Sequence, residues 1–78
     1  MVKIGKKKLN VYIKACEYAL KNDGDVVIAA RGNNIPRAII VSDVVKKKHR
    51  EITKDDVCIG CEDKDGKLVA TIEINLKT

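Results

Sequence analysis

Two short basic segments hold the residue types that bind phosphate. Gly5-Lys6-Lys7-Lys8 follows the short strand Val2-Lys3-Ile4, and Arg31-Gly32-Asn33-Asn34 lies between a second apolar strand and a helix. Ammonium and guanidinium groups make charge-assisted hydrogen bonds to phosphate oxygens, and a helix N-terminus adds unpaired N–H groups of the same polarity. If the two strands are parallel neighbours, both segments leave the sheet at one edge and their cations converge there. Arg37, one turn into the helix, would extend that surface. The lysines at the start of the first helix oppose its dipole, a local cost with no structural return. Asn33 and Asn34 have the amides to contact a base edge, although helix capping is the commoner role for asparagine there.

Each of these residues also has a plainer reading. Lys6-Lys7-Lys8 could be a solvated turn, and Arg31 could pair with Asp25 or Asp43 on the surface. Lys46, Lys47, Lys48 and Arg50 suit the negative end of their own helix, with at most a peripheral phosphate role. Other chemistries are poorly supported. Cys58 and Cys61 form a C-x-x-C, but strand alternation would point the two thiols to opposite faces, and a zinc site needs more ligands than the single His49 offers. No metal or cofactor is expected. Three cysteines without a secretion signal do not suggest a disulfide framework. One histidine beside lysines, with no serine–histidine or paired-carboxylate arrangement, does not suggest an enzyme. With no Trp, no Phe and two tyrosines, stacking platforms for unpaired bases are missing, which favours backbone contact with a duplex over base reading.

Charge is segregated along the chain. Residues 1–50 carry twelve lysines and arginines against four acids, net +8, whereas residues 51–78 carry four against seven, net −3. The basic half should face the ligand. The 78 residues, 45% hydrophobic and 35% charged, suffice for one domain spanning 1–78, which at this length buries about 60–65% of its unfolded surface. No apolar run approaches the ~20 residues of a membrane span, and the first residues lack a signal-peptide core. A cytoplasmic protein is expected.

The elements that must position the basic segments can be read from periodicity. Leu9, Tyr12, Ile13, Cys16, Ala19 and Leu20 form one helical stripe, ended by Asn22-Asp23-Gly24. Val26 to Ala30 reads as a central strand covered on both faces. The second helix opens with Asn33 or Asn34 as cap and Pro36 in its first turn, and runs to about Lys48. Ile35, Ala38, Ile39 and Val45 make its sheet-facing stripe. Ile40, Val41 and Val44 extend the apolar sector beyond what one sheet covers, so a second copy of the chain is the simplest cover. After Glu51 the period becomes two: a strand at Val57–Cys61, a turn at Asp63-Lys64-Asp65-Gly66, and a return strand with Leu68, Ala70, Ile72, Ile74 and Leu76 on one face. The fold class is an α/β two-layer sandwich, β-α-β-α-β-β, with a mixed four-stranded sheet covered by two helices.

Ile4-Gly5-Lys6-Lys7, a helix containing Tyr12, Ala30-Arg31-Gly32 before a helix with Ile35 and Ala38, and the final Thr71-Ile72-Glu73-Ile74 together resemble the Alba family of archaeal chromatin proteins. The resemblance implies a homodimer that binds double-stranded DNA and RNA with little sequence preference. It implies that Lys6 and Lys7 are central contacts, that Lys6 is a candidate for acetylation, and that Arg31 also touches nucleic acid. Some relatives serve instead as RNA-binding subunits of RNA-processing complexes. The family's hairpin arm, said to reach toward the minor groove, falls on Glu62–Lys67. Three positions depart from the family pattern. Lys8 stands where proline is common, the hairpin is several residues shorter and carries Glu62, Asp63 and Asp65, and His49 stands where some members have an aromatic used between dimers.

Overall fold

The stripe that begins at Leu9 winds into helix α1 (Leu9–Asp23), and Gly24 closes it in the left-handed conformation (φ 81°), its N–H bonded to the Leu20 carbonyl. The computed structural model describes residues 1–78. Before α1 lies a two-residue strand, β1 (Val2–Lys3); after it come β2 (Asp25–Arg31), a 3₁₀ turn (Gly32–Asn34), α2 (Ile35–Lys48), β3 (Thr53–Lys64) and β4 (Lys67–Lys77). The sheet order is β1-β2-β4-β3, with β1 parallel to β2 and the other pairs antiparallel. This is the expected β-α-β-α-β-β sandwich.

Both helices lie on one side of the sheet, where α1 packs on β1 and β2, and α2 on β2 and β4. The core between the layers contains Ile4, Tyr12, Ile13, Cys16 and Leu20 from the first half, Val26, Ile28 and Ala30 from β2, Ala38, Val41 and Val45 from α2, and Ile52, Ile72, Ile74 and Leu76. Complete burial of one Val, Leu or Ile contributes about 1.5–3 kcal/mol. Burial also pushes the Cys16 thiol up to about 11, so it stays protonated and acts as a small apolar side chain.

Two expectations fail here. The strand β2 is central, but only Val26, Ile28 and Ala30 are covered; Val27 and Ala29 lie half-buried on the helix-free face. The helix α2 sets Val41 fully inside the monomer at 0% exposure, while Ile39 (41%) and Ile40 (46%) face outward. A helix with apolar residues on most of its circumference has no single stripe in sequence. The positions of α1 and the sheet select Ala38, Val41, Ser42 and Val45 as the inner face.

The hairpin is longer than the alternation indicates. β3 begins at Thr53, with an irregularity in pairing between Lys54 and Asp56, and continues to Lys64. Asp65 and Gly66 take positive φ angles of 54° and 78°, as a tight two-residue turn between twisted strands requires. Beyond the pair Arg31–Thr71, β4 has only β3 as a neighbour, so residues 61–70 project as a two-stranded arm. Four residues per strand extend it by about 13 Å, and the whole molecule measures 41 × 24 × 19 Å.

At the opposite end, His49 follows α2 and ties it to α1. Its Nε2 lies 2.6 Å from Glu17 Oε2, and Lys48 Nζ lies 3.6 Å from the same oxygen. The hydrogen bond to His49 holds the Glu17 carboxyl below the usual carboxylate range; partial burial opposes this and Lys48 adds to it. A carboxyl whose folded pKa is depressed stabilises the protein above its unfolded value and loses that contribution as pH falls through the folded one. Glu17→Gln should therefore lower unfolding free energy at neutral pH by less than about 1 kcal/mol. The difference from wild type should vanish well below the carboxylate range, as urea unfolding at the two pH values would measure.

Candidate functional site

Three segments leave the sheet at the same end. Because β1 and β2 are parallel, the loops at 5–8 and 32–34 emerge together; because β4 is antiparallel to β2, the hairpin arm starts there too. Both helices also begin at this end, and neither has an acid in its first turn or a side-chain cap. The positive ends of two helix dipoles therefore add to the cations of the loops.

The first loop is fixed by its own backbone. The Gly5 and Lys7 N–H groups both donate to Tyr12 Oη, at 2.9 and 3.1 Å. From the other side, Arg37 Nε donates to the Gly5 carbonyl at 2.9 Å and Arg37 Nη2 to the Lys7 carbonyl. With those donors and acceptors turned inward, the exposed side chains of Lys6, Lys7 and Lys8 are left to solvent. A Cβ on Gly5 would lie 3.2 Å from the Tyr12 oxygen, so the glycine permits this close approach.

The second basic segment differs from expectation in its partners. Arg31 pairs with neither Asp25 nor Asp43. Its Nη1 meets Glu62 Oε1 at 2.7 Å, and both side chains are about half exposed, at 56% and 47%. Arg31 stands opposite Thr71 and Glu62 opposite Val69, so the pair crosses over β4 on the helix-free face and joins β2 to the base of the arm. Asp43 pairs instead with Lys54 on β3, at 3.5 Å. Asn34 occupies the position before α2 without a side-chain cap bond, and Asn33 is exposed in the 3₁₀ turn. Neither amide therefore caps the helix.

The sequence-predicted phosphate ligands thus separate into two groups. Lys6, Lys7, Lys8, Arg31 and Asn33 gather at one end with exposed side chains, Asn34 beside them partly covered. Arg37 is set apart from them: it is partly covered, and its Nε and Nη2 donate to the Gly5 and Lys7 carbonyls, so that it braces the lysine loop. Tyr12 holds the first basic loop through its hydroxyl, a contact that the apolar stripe concealed. The signal available was its hydroxyl, which in a buried position needs a hydrogen-bond partner. Cys58 and Cys61 are exposed, and their strand neighbours put them on opposite faces, as alternation requires. No helix is long and apolar enough to cross a membrane.

The Alba family model matches residues 1–59 of the chain. The structure is similar to Alba from Thermoplasma volcanium, with a TM-score of 0.87 at 24% identity over 99% of this chain and 98% of that one. It is also similar to ALBA1 from Trypanosoma brucei, with a TM-score of 0.83 at 18% identity over 99% of this chain and 67% of the other. Comparison of the sequence with curated proteins finds no match.

The clamp on the first loop makes a prediction that involves no lysine. Tyr12→Phe removes the acceptor shared by two backbone N–H groups and should cost about 1–2 kcal/mol in stability, read from denaturant unfolding. Amide exchange at Gly5 and Lys7 should accelerate while the amides of β2 stay protected.

Proposed function

The chain belongs to the Alba family of non-catalytic nucleic-acid-binding proteins, and from that premise we propose that it is a homodimer that coats or compacts double-stranded DNA, and also binds RNA, through phosphate contacts with low sequence specificity. The observation that carries this reading is the clamped loop, which holds Lys6, Lys7 and Lys8 clear of the protein beside Arg31 and two uncapped helix starts. Such an arrangement neutralises a backbone and reads no base, because phosphate contacts position a protein without conveying sequence. Asn33 and Asn34 sit at the rim and add polar contacts. The role is chromosome-associated and cytoplasmic, and acetylation of Lys6 would weaken binding by removing one charge.

Dimerisation is supported by apolar surface that one copy does not cover. Asp43 of α2 reaches Lys54 of β3, and Ile39 and Ile40 lie one turn away on that same side of the helix. Beyond them, Val57 (42% exposed), Ile59 (77%) and Leu68 (77%) stand on the helix-side face of the hairpin. Val44 is partly buried at the margin. Ile40 and Val44, with Ile39, Val57 and Ile59, make up the proposed interface, and Val41 does not contribute to it. A second copy on this surface would bring two sets of basic loops into one particle.

Two measurements test the proposal. The double variant Lys6→Glu with Lys7→Glu should weaken duplex binding of every sequence alike and flatten the plot of log affinity against log salt by about 0.9 for each phosphate no longer neutralised. Lys6→Gln should lose less than Lys6→Glu. Unchanged affinity in the double variant would leave the loop a solvated turn, and tighter binding of structured RNA than of duplex DNA would shift the role to an RNA-associated subunit.

For the interface, Ile40→Glu should give a folded monomer in sedimentation, whereas Val41→Glu, which buries a charge in the core, should unfold the chain. A wild type that sediments as a monomer would remove the dimer from the proposal.

A further inference from the structure

One strong acceptor, the Glu62 carboxylate, already takes the Nη1 donor of the guanidinium that the phosphate reading needs. The Arg31–Glu62 pair spans two strands that are not neighbours, about 9–10 Å apart across β4, with the Nη1–Oε1 distance at 2.7 Å. Reaching over Thr71 and Val69, it lays the Arg31 side chain along the helix-free face toward the arm. A carboxylate and a phosphate compete for the same donors of a guanidinium. We propose that Glu62 is an internal competitor for Arg31, a latch that withholds this cation until a polyanion displaces it; the inference rests on the nucleic-acid reading given above.

The geometry gives the latch a definite effect on selectivity. An intramolecular carboxylate faces Arg31 at a high effective concentration, which an isolated phosphate in solution does not match. A duplex or folded RNA already held by Lys6, Lys7 and Lys8 presents its next phosphates at comparable effective concentration, and these can take the guanidinium. Arg31 then engages second, after the lysine loop, and only with ligands that carry a run of phosphates. Once released, Glu62 stands at the base of the arm on the same face as Lys64 and Lys67, the face that alternation assigns to all three. The carboxylate is then free to neutralise the arm's lysines in place of Arg31.

The proposal separates from simple charge removal by a mutant cycle. Glu62→Gln keeps the size of a half-exposed side chain and should raise duplex affinity about two- to fivefold, the range that corresponds to an exposed ion pair. Asp63→Asn removes the same charge one residue away, on the opposite face of the arm, and should raise affinity less. In an Arg31→Ala background, Glu62→Gln should give no more than the Asp63→Asn gain. Equal gains from Glu62→Gln and Asp63→Asn, or a Glu62→Gln gain that persists without Arg31, would overturn the latch while wild-type binding leaves the wider reading intact. If Glu62 only braced the arm, Arg31→Ala and Glu62→Gln would change affinity in the same direction, which also overturns it. Absence of duplex binding by every variant and by wild type would remove the nucleic-acid reading itself, and the latch with it.

Discussion

The shortest ladder in the sheet governs the whole arrangement. β1 pairs with β2 through only Val2–Ile28 and Lys3–Ala29, yet the pairing is parallel, and a parallel pair needs a crossover, which α1 supplies. That requirement sends the end of β1 and the end of β2 to one edge and makes α1 and α2 start there. The antiparallel return of β4 then brings the arm to the same edge. A basic loop, a guanidinium and two helix starts become neighbours although they are far apart along the chain. The two-residue pairing does not hold this by itself. Ile4 continues it with an N–H bond to the Ala29 carbonyl and a side chain in the core, and Arg37 ties the loop beyond it to α2.

Much of this was legible in the sequence where one local rule determined the result. The stripe from Leu9 to Leu20 and the Gly24 stop define α1, and Asp65-Gly66 defines the hairpin turn. The alternation after Leu68 gives the buried face of β4, with Ile72, Ile74 and Leu76 in the core. The family resemblance rested on short motifs around Lys6, Arg31 and Thr71–Ile74, and the matched region 1–59 contains the first two of these.

What the sequence did not disclose depended on contacts between distant residues. Arg37 reads as an extension of the phosphate-binding surface and Glu62 as an exposed acid of the hairpin. Their partners lie about thirty residues away, and no spacing rule reports them. Tyr12 fitted the apolar stripe, and only its oxygen belongs to the loop. In α2, Ile39, Ile40, Val41, Val44 and Val45 offered several overlapping faces, so which of them faced the core was decided by the neighbouring α1 and sheet. β2 looked covered on both faces because small and branched apolar residues also tolerate a half-open one, as Val27 and Ala29 do.

The long β3–β4 hairpin also imposes an order on assembly. Its ladder runs from Lys64–Lys67 at the turn to Thr53–Lys77, so each pair formed shortens the loop the next must close, and the chain entropy lost per step is small. The β2–β4 ladder and the contacts of Arg37 with the first loop bridge thirty residues or more and carry a larger closure entropy. Loop-closure entropy thus favours the arm as the earliest structured unit and the lysine loop as the latest. On this ordering, substitutions at the turn act chiefly on the rate of folding, whereas loss of the Arg37 contacts acts chiefly on the rate of unfolding.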